Sequence, residues 1–317
     1  MATPDLHTTV RRLFESGGPR LNLTLLSGER GMENAITSPR IQKLGLALAG
    51  YIDYLHKGRV QLIGGTEINY LKTLDSSERK QSVQRIFTRE LCCIILTKGL
   101  EPPTDLLESC RQQGVPLLQT SALSSAAISE VTSFLEEELA PNVTIHGVFV
   151  EVFGMGVLML GDSGIGKSEC ALDLIRRGHR LVSDDVVIIK KYGPGRLIGS
   201  APAELKVHME LRGLGIINIK ELFGISSLSS KKTIDLAIEM VRWKPQEEYD
   251  RLGLEEREYS LLDVAVPLIK MPVASGRNLA TLVEVAVRIR MLKSQGYDPS
   301  REFIRKHGDR LTVRLPK

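Results

Sequence analysis

Residues 161 to 168 read GDSGIGKS and match the phosphate-binding pattern G-x-x-x-x-G-K-[ST] at every defined position. Each defined position has a physical reason. Gly161, Gly164 and Gly166 allow the backbone to approach phosphate oxygens, and the intervening Asp162, Ser163 and Ile165 complete a cradle of NH groups at a helix terminus. Lys167 is placed to reach the β and γ phosphates, and the Ser168 hydroxyl to ligate Mg²⁺. ATP with Mg²⁺ is therefore the expected ligand pair. A phosphate loop does not say where the phosphoryl group goes, so the acceptor chemistry must be sought in other residues. Asp184 and Asp185, in RLVSDDVVII, lie one helix further on at the mouth of an apolar strand. One carboxylate there can hold Mg²⁺ indirectly while the other faces the transferring group. Adjacent carboxylates repel, so one of them is expected to have a raised pKa suited to general-base work. Glu210 and Arg212 sit in MELRGLGIINIKELFG, where two closely spaced glycines break any helix and leave GIINI as a strand. The acid can take an open position on the cation and the guanidinium can meet phosphate, although such pairs also flank ordinary strands. His146, on the strands leading into the loop, reads either as a site residue or as a structural histidine.

These residues need elements to position them. The apolar run VLML before the loop and the helix-forming SECALDLIRRG after it supply the strand and helix that a phosphate loop joins. Upstream, TIHGVFVEVFGMGVLMLG is expected to form two strands meeting at Gly154. The first 140 residues alternate extended and helical patterns. LNLTLL, RVQLI, LCCIIL and VPLLQT read as strands, with RVQLI closed by a Gly64-Gly65 turn; SSERKQSVQRIF, DLLESCRQQG and Ser121 to Leu139 read as helices. LCCIIL is apolar throughout, as a strand buried on both faces must be. The fold class expected is thus α/β: a small amino-terminal α/β domain over residues 1–140 and a carboxy-terminal phosphate-loop kinase domain over 141–317. Pro141 stops the last helix of the first part and sets the boundary.

Composition narrows the class. The chain has 317 residues, which at roughly 100 to 200 per domain favours two domains. With 42% hydrophobic and 25% charged residues it has material for real cores and is not a disordered chain. Its 42 Lys and Arg against 38 Asp and Glu give a net charge of +4, which suits an anionic ligand without calling for nucleic acid. The longest apolar stretch, Val143 to Leu160, is interrupted by His146 and Glu151, so no window offers the ~18 uncharged residues of a membrane span. The amino terminus has no apolar signal core, and a cytoplasmic location is expected. Cys92, Cys93, Cys110 and Cys170 show no C-x-x-C spacing and read as small buried hydrophobes.

Taken together the motifs resemble the bacterial HPr kinase/phosphorylase family, enzymes that phosphorylate and dephosphorylate a serine of the phosphocarrier protein HPr. PRIQKLGLALAGYIDYLHKGRVQLIGGTEINYL resembles that family's amino-terminal domain. GDSGIGKSECALDLIRRGHRLVSDD, ELRGLGIINI, YDRLGL and PVASGRN follow in the family's order and approximate spacing. The resemblance implies a bifunctional serine kinase and phosphorolytic phosphatase that regulates carbon metabolism. Inorganic phosphate would attack phosphoserine and release pyrophosphate. It further implies that Lys167 and Ser168 are phosphate and metal ligands, that Asp185 is the catalytic carboxylate with Asp184 beside it, and that Glu210 is a second metal ligand. His146 and Arg251 are implied to belong to the active site, and the stretch Pro272 to Arg277, with Gly276, to serve dephosphorylation. The sequence departs from the family in this stretch: the usual PVRPGRN is PVASGRN, with Ala274 and Ser275 in place of Arg and Pro. Asn218 stands where Asp is common. A homohexamer built through the carboxy-terminal domains is also implied. NLATLVEVAVRIRMLKSQG is compatible, with Leu279, Leu282, Val283, Ala286 and Ile289 on one helical face and Val285 and Val287 beyond it, although burial within its own domain would use the same face. The rival functions are a small-molecule kinase with a lidded pocket and a non-catalytic, nucleotide-dependent regulator.

Overall fold

The computed structural model describes residues 6–17, 21–246, 255–274 and 276–307. The chain divides into two compact units, Met1–Ala140 and Pro141–Lys317.

In the first unit, strands β1 (Thr24–Ser27), β2 (Gln42–Lys43), β3 (Gln61–Ile63), β4 (Ile94–Leu96) and β5 (Leu117–Gln119) form a sheet in the order β1-β5-β4-β3-β2. The pairs from β2 through β5 are parallel, and only β1 joins antiparallel. Parallel neighbours need crossovers. These are supplied by α1 (Gly65–Thr73) and α2 (Ser76–Ile86) after β3 and α3 (Thr104–Gln113) after β4, while α4 (Ser124–Glu138) follows β5. Helices on both faces explain the unbroken apolar run of β4. Ile94 and Leu96 pack with Ile63, Leu117, Val83, Ile86 and Leu106, whereas Ile95 points the other way into Leu62, Leu118, Val131 and Leu135. The expected turn at Gly64-Gly65 is instead a helix start. Gly64 is the N-cap of α1, and its NH donates to the Glu67 carboxylate at 2.8 Å. All four cysteines are free and buried, and burial pushes the Cys110 and Cys170 thiols up to about 12.

The second unit is built on two sheets. The larger has six strands, in the order β9-β7-β8-β15-β17-β16: β7 (Val148–Val152), β8 (Met155–Leu160), β9 (Arg180–Ser183), β15 (Leu236–Arg242), β16 (Arg257–Leu261) and β17 (Val264–Val273). The smaller runs β14-β11-β10-β6, from β6 (Asn142–His146), β10 (Val186–Tyr192), β11 (Arg196–Ser200) and β14 (Lys231–Thr233). A separate hairpin pairs β12 (His208–Leu211) with β13 (Gly215–Asn218). Alternation along the strands sorts their side chains. Val148, Val150, Val157, Met159 and Ile238 meet α5 (Lys167–Arg176) and α6 (Leu279–Ser294), while Phe149, Leu158 and Ala237 pack with Val187, Ile189 and Leu197 of the smaller sheet. The Phe149 ring fills the space left by two glycines. A Cβ on Gly199 would lie 2.6 Å from Phe149 Cε1, and one on Gly156 2.9 Å from its Cζ.

Two expectations need correction. The segment before the phosphate loop makes three strands rather than two, because β6 leaves for the smaller sheet and the chain changes sheets at Gly147, where a Cβ would come within 2.9 Å of the Met159 carbonyl. On α6 the core face is Ala280, Val283, Ala286 and Val287, and Ile289 turns outward with Val285 and Leu292. Among the described residues no helix is long and apolar enough to cross a membrane.

Candidate active site

β8 runs parallel to β15, and its carboxyl end delivers the chain into residues 161–166 before α5 begins at Lys167. The loop closes over its neighbours too tightly for side chains. Gly161 has φ +138° and a Cβ there would sit 2.4 Å from the Met240 carbonyl; Gly164 has φ +76° and a Cβ would meet Arg212 Nη1 at 2.3 Å. Lys167 Nζ donates to the carbonyls of Gly161 at 2.8 Å and Asp162 at 2.9 Å, so the ammonium is drawn across the loop. Arg212, carried between β12 and β13, reaches the same loop from above and donates through Nη2 to Ser163 Oγ at 3.1 Å.

Behind the loop, Ser168 Oγ donates to Asp184 Oδ1 at 2.8 Å, and the Glu210 main-chain NH donates to Asp184 Oδ2 at 3.1 Å. Asp184 is thus tied to the first turn of α5 and to β12 at once. Burial pushes its carboxyl above the ordinary range, and the charges of Asp185 and Glu210 push the same way, against the pull of its two hydrogen bonds. Asp185 has the opposite setting. It takes a left-handed φ of +65°, which turns its side chain out to 70% exposure, with Oδ1 3.7 Å from His146 Nδ1. Its carbonyl accepts the Gly147 NH at 3.0 Å, which fixes this turn against the end of β6. Aspartate is among the few residues that tolerate such a φ. The carboxyl with the raised pKa is therefore the inner one, while the residue implied as the proton carrier is the outer one.

Ser168, Asp184 and Glu210 offer hard oxygen donors, which suit Mg²⁺. Among the described residues no group of three or more His, Cys, Asp or Glu side chains forms a closed metal cage.

Pro272 lies near the carboxyl end of β17, in register with Val241. The loop after it is closed by the Arg277 NH on the Ala274 carbonyl at 3.3 Å, with Gly276 at φ +83°, and Arg277 Nη1 reaches the Pro272 carbonyl at 3.4 Å. It leads to α6, whose first residue places Leu279 Cδ1 3.6 Å from a Cβ built on Gly166. Arg251 and Ser275 lie outside the described residues. Asn218 caps the short helix Ile219–Phe223 by accepting the Glu221 NH at 3.2 Å, a role that asparagine fills as well as aspartate. Sequence reading missed Ser163 as the partner of Arg212 and the Glu210 NH as a ligand of Asp184. Pairs 49 and 26 residues apart leave no local pattern to find.

Comparison with known proteins identifies the family. The family model for the HPr serine kinase C-terminal domain matches residues 137–307, and that for the HPr serine kinase N terminus matches residues 8–135. The HPr kinase/phosphorylase of Geobacter sulfurreducens is 53% identical over 310 residues, which covers 98% of this chain and 97% of that protein. The HPr kinase/phosphorylase of Brevibacillus brevis is 42% identical over 288 residues, covering 91% and 93%. A solved structure of the HPr(Ser) kinase/phosphatase from Coxiella burnetii is 39% identical, spans 51% of this chain and 98% of its own, and superposes with a TM-score of 0.47. With a phosphate loop, a split aspartate pair and matches over nearly its whole length, this chain belongs to the HPr kinase/phosphorylase family.

Proposed function

We infer that this chain moves a phosphoryl group from ATP to a serine of HPr and, in the opposite sense, from phosphoserine to inorganic phosphate. The observation that carries the reading is the contact series Ser168–Asp184–Glu210 beneath the phosphate loop, with Asp185 turned outward beside His146. Ser168 and Glu210 are read as the residues that hold a cation, with Asp184 behind Ser168, and Asp185 as the residue that meets a protein hydroxyl.

In the kinase direction Lys167 exchanges its two loop carbonyls for β and γ phosphate oxygens, and Arg212 is close enough to the loop to share that charge. Asp185 takes the proton of the serine hydroxyl as its oxygen bonds to the γ phosphorus and the bond to the β–γ bridging oxygen breaks, releasing ADP; His146 Nδ1 lies 3.7 Å from that carboxylate. Ser168 and Glu210 would hold Mg²⁺, with Asp184 fixing the Ser168 hydroxyl; the cation supplies charge neutralisation at the phosphates. In the reverse direction inorganic phosphate lies in the same cradle. Its oxygen bonds to the phosphorus of phosphoserine, the ester bond breaks, and protonated Asp185 returns its proton to the serine oxygen, so that free HPr and pyrophosphate leave. On the family resemblance Arg251 is read as an active-site residue and the stretch Pro272 to Arg277 as a loop that serves dephosphorylation. A homohexamer is supported by the outward stripe Val285, Ile289 and Leu292 on α6. An enzyme that consumes ATP and acts on HPr belongs in the cytoplasm, where it would regulate carbon metabolism.

The test is incubation of the purified chain with HPr, Mg²⁺ and ATP labelled at the γ position. Label on an HPr serine, recovered as pyrophosphate once phosphate is added, is the expected outcome. Hydrolysis or binding of ATP with no transfer to HPr would overturn the reading in favour of a nucleotide-dependent regulator, and transfer to a small molecule in favour of a metabolite kinase.

A further inference from the structure

The first unit has a cavity that the phosphotransfer chemistry does not use. It has a volume of about 270 Å³ and lies at the carboxyl ends of all four parallel strands. Lys43 ends β2, Gly64 and Gly65 follow β3, Lys98 follows β4, and Ser124 and Ser125 open the helix after β5. The crevice outside the carboxyl ends of a parallel sheet is where open α/β folds take their ligands.

The lining is cationic. Lys43 and Lys98 are exposed, and neither ammonium has an ion-pair partner among the described residues. Lys98 is brought in by its backbone, which takes a left-handed φ of +63°, and its Nζ lies 3.7 Å from a Cβ built on Gly65. One acid shares the cavity. Glu67 is buried, and its Oε2 is already engaged by the Gly64 NH at 2.8 Å. Two lysines and one carboxylate, engaged through one oxygen by the backbone, thus line the cavity. The Ser124 hydroxyl is held by Thr97 Oγ1 at 2.7 Å and packs against Gly64, where a Cβ would come within 2.8 Å of it. Lysines, hydroxyls and glycine backbone around one small cavity suit a compact, multiply charged oxyanion.

We propose that the first unit carries its own binding site for a phosphoryl dianion, supplied as inorganic phosphate or as a small phosphomonoester. This site is separate in sequence and in strands from the phosphate loop at residues 161–168, and its binding does not depend on which reaction that loop catalyses.

The experiment uses the full chain carrying Lys167→Ala, which weakens phosphate binding at the loop, and reads hydrogen exchange of the amides of residues 64–68 and 124–128. The probes are inorganic phosphate and glycerol 3-phosphate at millimolar concentration. Saturable protection of those amides is expected. Lys43→Ala with Lys98→Ala should weaken it by at least about tenfold, as loss of charge-assisted hydrogen bonds requires, while Lys43→Arg with Lys98→Arg retains it. Ser125→Asp provides an independent check. Its carboxylate suits the first turn of α4, so the fold is kept, yet it repels an incoming anion and should abolish protection. Equal protection by both probes identifies the dianion itself as the ligand, and tighter binding of glycerol 3-phosphate identifies a phosphomonoester. No protection by either probe, or protection unchanged in both the double-alanine and Ser125→Asp proteins, would overturn the proposal.

Discussion

Asp184 and Asp185 are adjacent in the chain yet differ in exposure, backbone and partners. A left-handed backbone at Asp185 turns one carboxylate outward, while Ser168 and the Glu210 NH hold the other in. Asp185→Asn preserves shape and turn but removes the proton acceptor. ATP should still bind, while phosphotransfer falls by roughly 10² or more in both directions, measured by single turnover. Unchanged turnover would move the proton-carrying role elsewhere. Lys167→Ala is expected to act differently. It removes the only side chain recorded on the loop carbonyls of Gly161 and Asp162 among the described residues, and both reactions should vanish together because one cradle serves ATP and phosphate. Measuring HPr phosphorylation and pyrophosphate release on the same preparation checks this.

At the scale of elements, α5 and α6 are joined by Glu284. It meets His179 Nε2 at 2.9 Å and Arg177 Nη1 at 2.9 Å, and the His179 hydrogen bond, followed by that of Arg177, holds its carboxyl below the ordinary 4.5. A carboxylate depressed in the folded state stabilises fully above its unfolded value and loses that contribution as pH falls through the folded one. Glu284→Gln should therefore cost about 1 kcal/mol at pH 7, or about 2–4 °C in melting temperature, and the difference from the parent should close as pH falls below the ordinary carboxylate range. Melting curves across pH decide it. The loop after β17 gives the other expectation at this scale. Without the cation and the rigid turn of PVRPGRN, the chain should favour kinase over phosphorolysis, and Ala274→Arg with Ser275→Pro should raise pyrophosphate release more than phosphorylation. The ratio of initial rates at saturating phosphate and saturating ATP is the measurement, and a ratio that does not move makes the departure neutral. What was legible in sequence follows the range of the forces involved. The loop glycines with Lys167 and Ser168, and the alternation that buries Ile94 and Ile95 on opposite faces, are local patterns. The helix start at Gly64 depends on Glu67 reaching back, the sheet change at Gly147 on Met159, and the seat of Arg212 on Ser163. Those three are settled by partners that propensity and periodicity do not see.

In the molecule as a whole, each unit buries clusters of its own, so neither needs the other to complete a core. The second unit also leaves apolar surface uncovered: Val285, Ile289 and Leu292 repeat along the outer side of α6 at 47%, 37% and 39% exposure. If copies of the chain cover that stripe, Ile289→Asp should shift the particle to a smaller mass in light scattering without changing the circular dichroism, since Ile289 lies outside the core face. An unchanged mass would place the contact on another surface.

The two loop hydrogen bonds of Lys167 bear on the heat of ligand binding. Its ammonium donates to two carbonyls, so a phosphate that takes it over exchanges one set of hydrogen bonds for another. The enthalpy of filling the loop is then a difference between two bonded states rather than the full strength of the new contacts. Calorimetry of phosphate binding to this loop should show a heat smaller than the new contacts alone would give.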